Sequence, residues 1–106
     1  MKAKLFISQP MRGKTDEEIL REREEAIRKA KLVLEEFNKE ETEVEVIDSF
    51  FQNAPADVRP LWFLGKSLEL LSTADIAVFV PGWENYRGCK IEHECCLQYD
   101  ITVIHL

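Results

Sequence analysis

Two stretches of this chain hold the residue types best suited to chemistry. In Ser8-Gln9-Pro10-Met11-Arg12-Gly13 a hydroxyl, a guanidinium fork and a glycine with an open backbone N–H follow one another. Placed just before a helix N-terminus, such groups can hold a phosphate or a carboxylate. On these residues alone Arg12 reads equally well as a solvent-exposed loop cation, and Gly13 as a simple turn. Neither GxGxxG nor the P-loop pattern GxxxxGKS/T occurs, so the chain lacks the defining glycines of dinucleotide and P-loop sites.

The second stretch runs from Pro81 through Gly88 into Cys89-Lys90-Ile91-Glu92-His93-Glu94. Gly88 is expected at a tight turn, with Glu92 and Glu94 on the first turns of the helix that follows. A helix N-terminus favours the carboxylate form that a nucleophile needs. Residues two apart on a helix point in different directions, so at most one of the two faces a cleft. Either glutamate also suits an ordinary surface position that complements the helix dipole. Trp83 and Tyr86 can stack on a base or a sugar, or cap the sheet. Cys89, His93 and Cys96 have spacings compatible with metal ligation, with Cys95, Glu94 and His105 as further donors. Because no clear fourth ligand completes the set, the thiols are read as packing, and neither a metal nor a cofactor is assigned.

These residues must be positioned by the elements around them. Leu5-Phe6-Ile7 reads as a strand covered on both faces. Thr15-Asp16-Glu17-Glu18 is a capping box, and Ile19, Ala26, Ile27, Ala30, Val33, Leu34 and Phe37 recur at helical spacing as far as Asn38. Glu17/Arg21, Glu24/Arg28 and Glu25/Lys29 are expected as pairs on the wet side. Val44–Asp48 suggests a strand nearer the sheet edge. Pro60 opens a second helix with a stripe of Leu61, Leu64, Leu68 and Leu71, in which Gly65 permits close packing or weakens the helix. Ile76–Val80 is the clearest buried strand, a third helix spans about Gly88 to Gln98, and Ile101–Ile104 is the last strand. Alternating strands and helices imply an α/β, Rossmann-like (flavodoxin-like) doubly wound parallel sheet. About four strands in order 2-1-3-4 are expected, with helices on both faces. Ligands then bind beyond the carboxyl ends of the strands where the order reverses, between the loops Ser8–Gly13 and Pro81–Gly88.

The chain has 106 residues, enough for one domain spanning 1–106. With 14 basic and 20 acidic side chains its net charge is −6, which disfavours nucleic-acid polymers and anionic membranes as partners. No apolar run approaches the ~20 residues needed to span a bilayer. The 3 cysteines are odd in number and crowded, unlike a secreted disulfide framework, so a cytoplasmic setting is expected.

Four segments together carry a resemblance: Leu5–Gly13, Leu64–Leu71, Ala74–Trp83 and Arg87–Glu94. Over nearly its whole length the chain resembles a small family of phage and bacterial proteins of unassigned function. That family is grouped with the nucleoside 2-deoxyribosyltransferase superfamily, and the chain is more distantly similar to the 2′-deoxynucleoside 5′-phosphate N-hydrolases. In those enzymes a glutamate four residues after a loop glycine attacks the anomeric carbon of deoxyribose and expels the base. The resemblance therefore selects Glu92, after Gly88, as nucleophile, and makes Arg12-Gly13 the 5′-phosphate anchor. Ser8, Asp75, Trp83 and Gly88 complete the expected substrate-binding set, although the family serine falls nearer Pro10 than Ser8 does, and the resemblance implies a nucleoside or nucleotide as the small-molecule partner and a homodimer or larger homo-oligomer. Two positions depart from the enzymes. Ser67 stands where the transferases carry an aspartate, and Phe6 where an aromatic hydroxyl is found. A non-catalytic nucleotide-binding module is thus the competing expectation, and a protein whose loop aromatics make a subunit interface is a third.

Overall fold

A computed structural model describes residues 2–106. The elements alternate as β1 (Lys2–Ser8), α1 (Asp16–Asn38), β2 (Glu43–Val46), α2 (Pro60–Leu71), β3 (Ile76–Phe79), α3 (Arg87–Gln98) and β4 (Thr102–His105), with a single 3₁₀ turn at Trp83–Asn85 before α3. The four strands form one all-parallel sheet in the order β2-β1-β3-β4, the doubly wound topology expected from the alternation. Among the described residues no helix is long and apolar enough to cross a membrane.

The side-chain period of two along β1 divides the core into two layers. Ala3, Leu5 and Ile7 pack with Ile76, Val78 and Val80 against Ala26, Ala30 and Leu34 of α1. Phe6 points the other way, with Ala77 and Phe79, towards Leu71 of α2 and Cys96 of α3. α1 therefore covers one face, while α2 and α3 cover the other. Because β1 and β3 are paired on both sides and covered on both faces, their residues are almost wholly buried. Register brings Ser8 opposite Phe79, and the Val80 N–H donates to the Ser8 carbonyl just past the end of the ladder.

α1 starts where the sequence predicts. The Thr15 hydroxyl accepts from the Glu18 N–H, and the Glu18 carboxylate accepts from the Thr15 N–H. It ends at Asn38, followed by Lys39 in the left-handed region at φ 60°. Its surface differs in detail from expectation. Phe37 is 84% exposed and Val33 is also exposed, because the buried stripe is Ala26, Ala30 and Leu34 and these two residues lie on the neighbouring face of the helix. Arg23 is buried within the charged run: its Nη2 donates to the Ile47 carbonyl and to the Ser49 hydroxyl, tying α1 to the end of β2. Of the expected wet-side pairs Glu25–Lys29 forms, while Arg28 takes Glu25 as its partner in place of Glu24. In α2, Leu61 is exposed and only Leu71 is fully buried, and a Cβ on Gly65 would meet open space, so Gly65 serves no close contact. Gly88 also departs from expectation. It lies inside the first turn of α3, which opens at Arg87, and not in a tight turn.

Candidate functional site

Three elements bring one polar side chain each to the same point on the α2/α3 face. Ser8 ends β1 on the side that Phe6 occupies two residues earlier. In α3, Cys89, Glu92 and Cys96 recur at spacings of three and four and form its buried stripe. In α2, Ser67 lies one turn before the buried Leu71. The Ser8 hydroxyl donates to Glu92 Oε1 at 2.7 Å, and the Ser67 side chain lies near enough to the same carboxyl to favour its ionised form. Glu92 is only 7% exposed.

The electrostatics of this carboxyl follow from its surroundings. Burial pushes it up to about 7, against the opposing pull of the hydrogen bonds with Ser8 and Ser67. No cationic side chain contributes to that balance. The Cys89 thiol is raised by burial against the opposing influence of Ser8, and the nearby Glu92 adds to the rise. Cys96 is pushed up to about 11 by burial. Neither thiol is therefore suited to act as a thiolate nucleophile near neutral pH. A buried carboxyl with no ion-pair partner, poised near neutrality by hydroxyls, is costly for stability and is the kind of group found where a protein uses an acid, a base or a nucleophile.

The two loops meet as the topology requires. Gly82, at φ 95°, places its backbone so that a Cβ would stand 4.0 Å from Pro10 Cγ, and Gly13 turns the first loop at φ 81°. Arg12 is exposed and makes no hydrogen bond or ion pair with the other described residues, so its guanidinium is available to an anion. A Cβ on Gly88 would meet nothing within 4 Å. Gly88 and Glu92 stand i,i+4 on one helix face, and side chains lean towards the N-terminus of their helix, so the space left by Gly88 adjoins the Glu92 carboxyl.

Other expected residues lie elsewhere. Asp75 sits at the amino end of β3, where its carboxylate accepts from the Lys4 N–H at 2.8 Å and its own N–H donates to the Lys4 carbonyl. That is the opposite end of the sheet from Ser8, about 13 Å along the strand at ~3.3 Å per residue. Asp75 is a structural link between β1 and β3 and is not brought to the site. Trp83 stacks on His93 with ring centroids 4.1 Å apart and meets Phe79 edge-on, so one of its faces is already taken. Glu94 is exposed and accepts from Gln98. The candidate metal spacing does not close, since Cys89 and Cys96 point inward and His93 joins the aromatic cluster. Among the described residues no three His, Cys, Asp or Glu side chains gather as a metal site.

Two surface depressions lie apart from Glu92. One, of about 600 Å³, is lined by Lys2, Lys31, Glu41, Thr42 and Glu43. The other, of about 350 Å³, lies between α1 and the segment Val80–Pro81. Neither includes Ser8, Arg12 or Glu92, and the chemistry of the side chains, not the depth of these hollows, identifies the site. No family model, curated protein or solved structure matches the chain, so the geometry itself carries the functional reading.

Proposed function

We propose that the chain acts on the N-glycosidic bond of a nucleoside or its 5′-monophosphate, with the Glu92 carboxylate as nucleophile and Arg12 as phosphate anchor. The observation that carries this reading is the buried Glu92 carboxyl, held by Ser8 at the carboxyl end of β1 with Ser67 of α2 beside it. A retaining displacement needs a carboxylate that bonds to an oxocarbenium-like carbon as the base departs, and then yields the sugar to water or to another base. Ser8 and Ser67 stabilise the ionised form and fix its direction. The free guanidinium of Arg12 suits a phosphate dianion.

A specific observation favours a second reading, a binding module without turnover. The side chain beside Glu92 contributed by α2 is a hydroxyl, so the site has no second carboxyl to share protons with the leaving base. The test is incubation with deoxynucleosides, ribonucleosides and their 5′-monophosphates, followed by chromatography for free base. Base release that Glu92→Gln abolishes is expected; release that Glu92→Gln leaves intact sinks the nucleophile assignment. Absence of release, together with thermal stabilisation by a monophosphate that Arg12→Ala removes, establishes the binding module.

A further inference from the structure

The geometry points to a divalent-cation site on α3 and β4, in which His93 and His105 chelate a first-row transition metal of square-planar or octahedral preference, Ni(II) or Cu(II), in place of the proton they share. The two Nε2 atoms lie 2.9 Å apart in a hydrogen bond. With metal–nitrogen bonds of about 2.05 Å, two nitrogens at this separation subtend about 90° at the ion, the cis angle of tetragonal and octahedral sites. A tetrahedral ion such as Zn(II) needs them about 3.3 Å apart, so the pair suits the former class better. His105 is exposed on β4, which leaves its ring free to turn until both lone pairs converge on the ion.

The pair is preorganised by its neighbours. Trp83 stacks on His93 at 4.1 Å and 18°, and lies over His105 at 5.7 Å and 27°. Phe79 meets His93 edge-on at 4.9 Å. The His93 ring, held between Trp83 and Phe79, has little rotamer freedom left to lose on binding, while the exposed His105 supplies the turn that brings both lone pairs onto the ion. Because no third side chain joins the pair among the described residues, the remaining coordination positions belong to solvent and the site is open. His93 and Glu92 are successive residues on different faces of α3, and the cation site does not depend on the reaction proposed above.

Ni(II) is the probe of choice because Cu(II) also oxidises thiols. Calorimetric titration of the full chain at pH 7.5 is expected to give one Ni(II) per chain. Affinity should be weakened at least about tenfold by His105→Gln and by His93→Gln separately. In a Trp62→Phe background, where Trp83 is the remaining tryptophan, the same titration should quench fluorescence. His105 is exposed, so its variant reports without disturbing the core. Binding that survives His105→Gln, or no Ni(II) uptake by the parent chain, overturns the proposal.

Discussion

Glu92 sets the chemistry at the scale of single residues, and its protonation makes two measurements decisive. Its folded-state value of about 7 lies above the unfolded value of 4.5, so the native state holds a proton that the unfolded chain releases between those values. This contribution to stability is fully present below about pH 4.5 and is lost as pH rises through about 7. At pH 8 the buried charge costs on the order of 3 kcal/mol. Glu92→Gln is therefore expected to be nearly neutral at pH 5 and stabilising by about 1–3 kcal/mol at pH 8, measured by urea unfolding at both pH values. The nucleophile proposed here must be ionised, so on that proposal turnover should rise with pH to a plateau above about 7. Ser8→Ala removes a hydrogen bond that lowers the Glu92 value, so the midpoint of that pH–rate profile should move upward. Gly88 supplies a third test. A leucine there meets open space, so Gly88→Leu should fold normally yet block the approach to Glu92, read as lost binding with unchanged far-ultraviolet circular dichroism.

At the scale of elements, the loops are held by backbone conformation more than by side chains. Gly82 adopts φ 95° beside Pro10, a conformation that costs an L side chain roughly 1 kcal/mol or more. Gly82→Ala should lower the thermal midpoint by several degrees, about what ~1 kcal/mol implies for a domain of this size, and should weaken ligand binding as the two loops part. The elements themselves were largely legible. The capping box at Thr15–Glu18 marked the start of α1, and the continuous apolar run Ile76–Val80 marked a strand covered on both faces. Glu92 is chosen over Glu94 by the resemblance, and the stripe Cys89, Glu92, Cys96 is a local signal that points the same way, since buried positions on a helix recur at three and four. What the chain hides is tertiary. Nothing local reveals that Arg23, in the middle of a charged run, reaches Ile47 and Ser49, or that Asp75 sits at the far end of its strand from the site. The apolar spacing that includes Val33 and Phe37 does not show that only the stripe Ala26, Ala30 and Leu34 is covered, because periodicity reports a face and not what covers it.

On the scale of the whole molecule, the 2-1-3-4 order follows from alternation and right-handed crossovers, and the site follows from the order. Ser67 shows the limit of that logic: its residue type reads as a departure, whereas its position beside Glu92 emerges only when α2 and α3 pack on one face. The sheet then acts as a partition. Odd positions of β1 face α1 and take no part in the site, while even positions lead through Phe6 to Ser8 and Glu92. The layer beneath α1 is thus a reservoir in which stability can be traded without touching the surroundings of Glu92. Ile7→Ala there should cost about 2–5 kcal/mol, and repairs on α1 should restore the loss with ligand affinity intact. A lineage carrying this fold has a way to accumulate destabilising changes around Glu92 and to compensate for them on the other side of the sheet, so that the two layers evolve at different tempos.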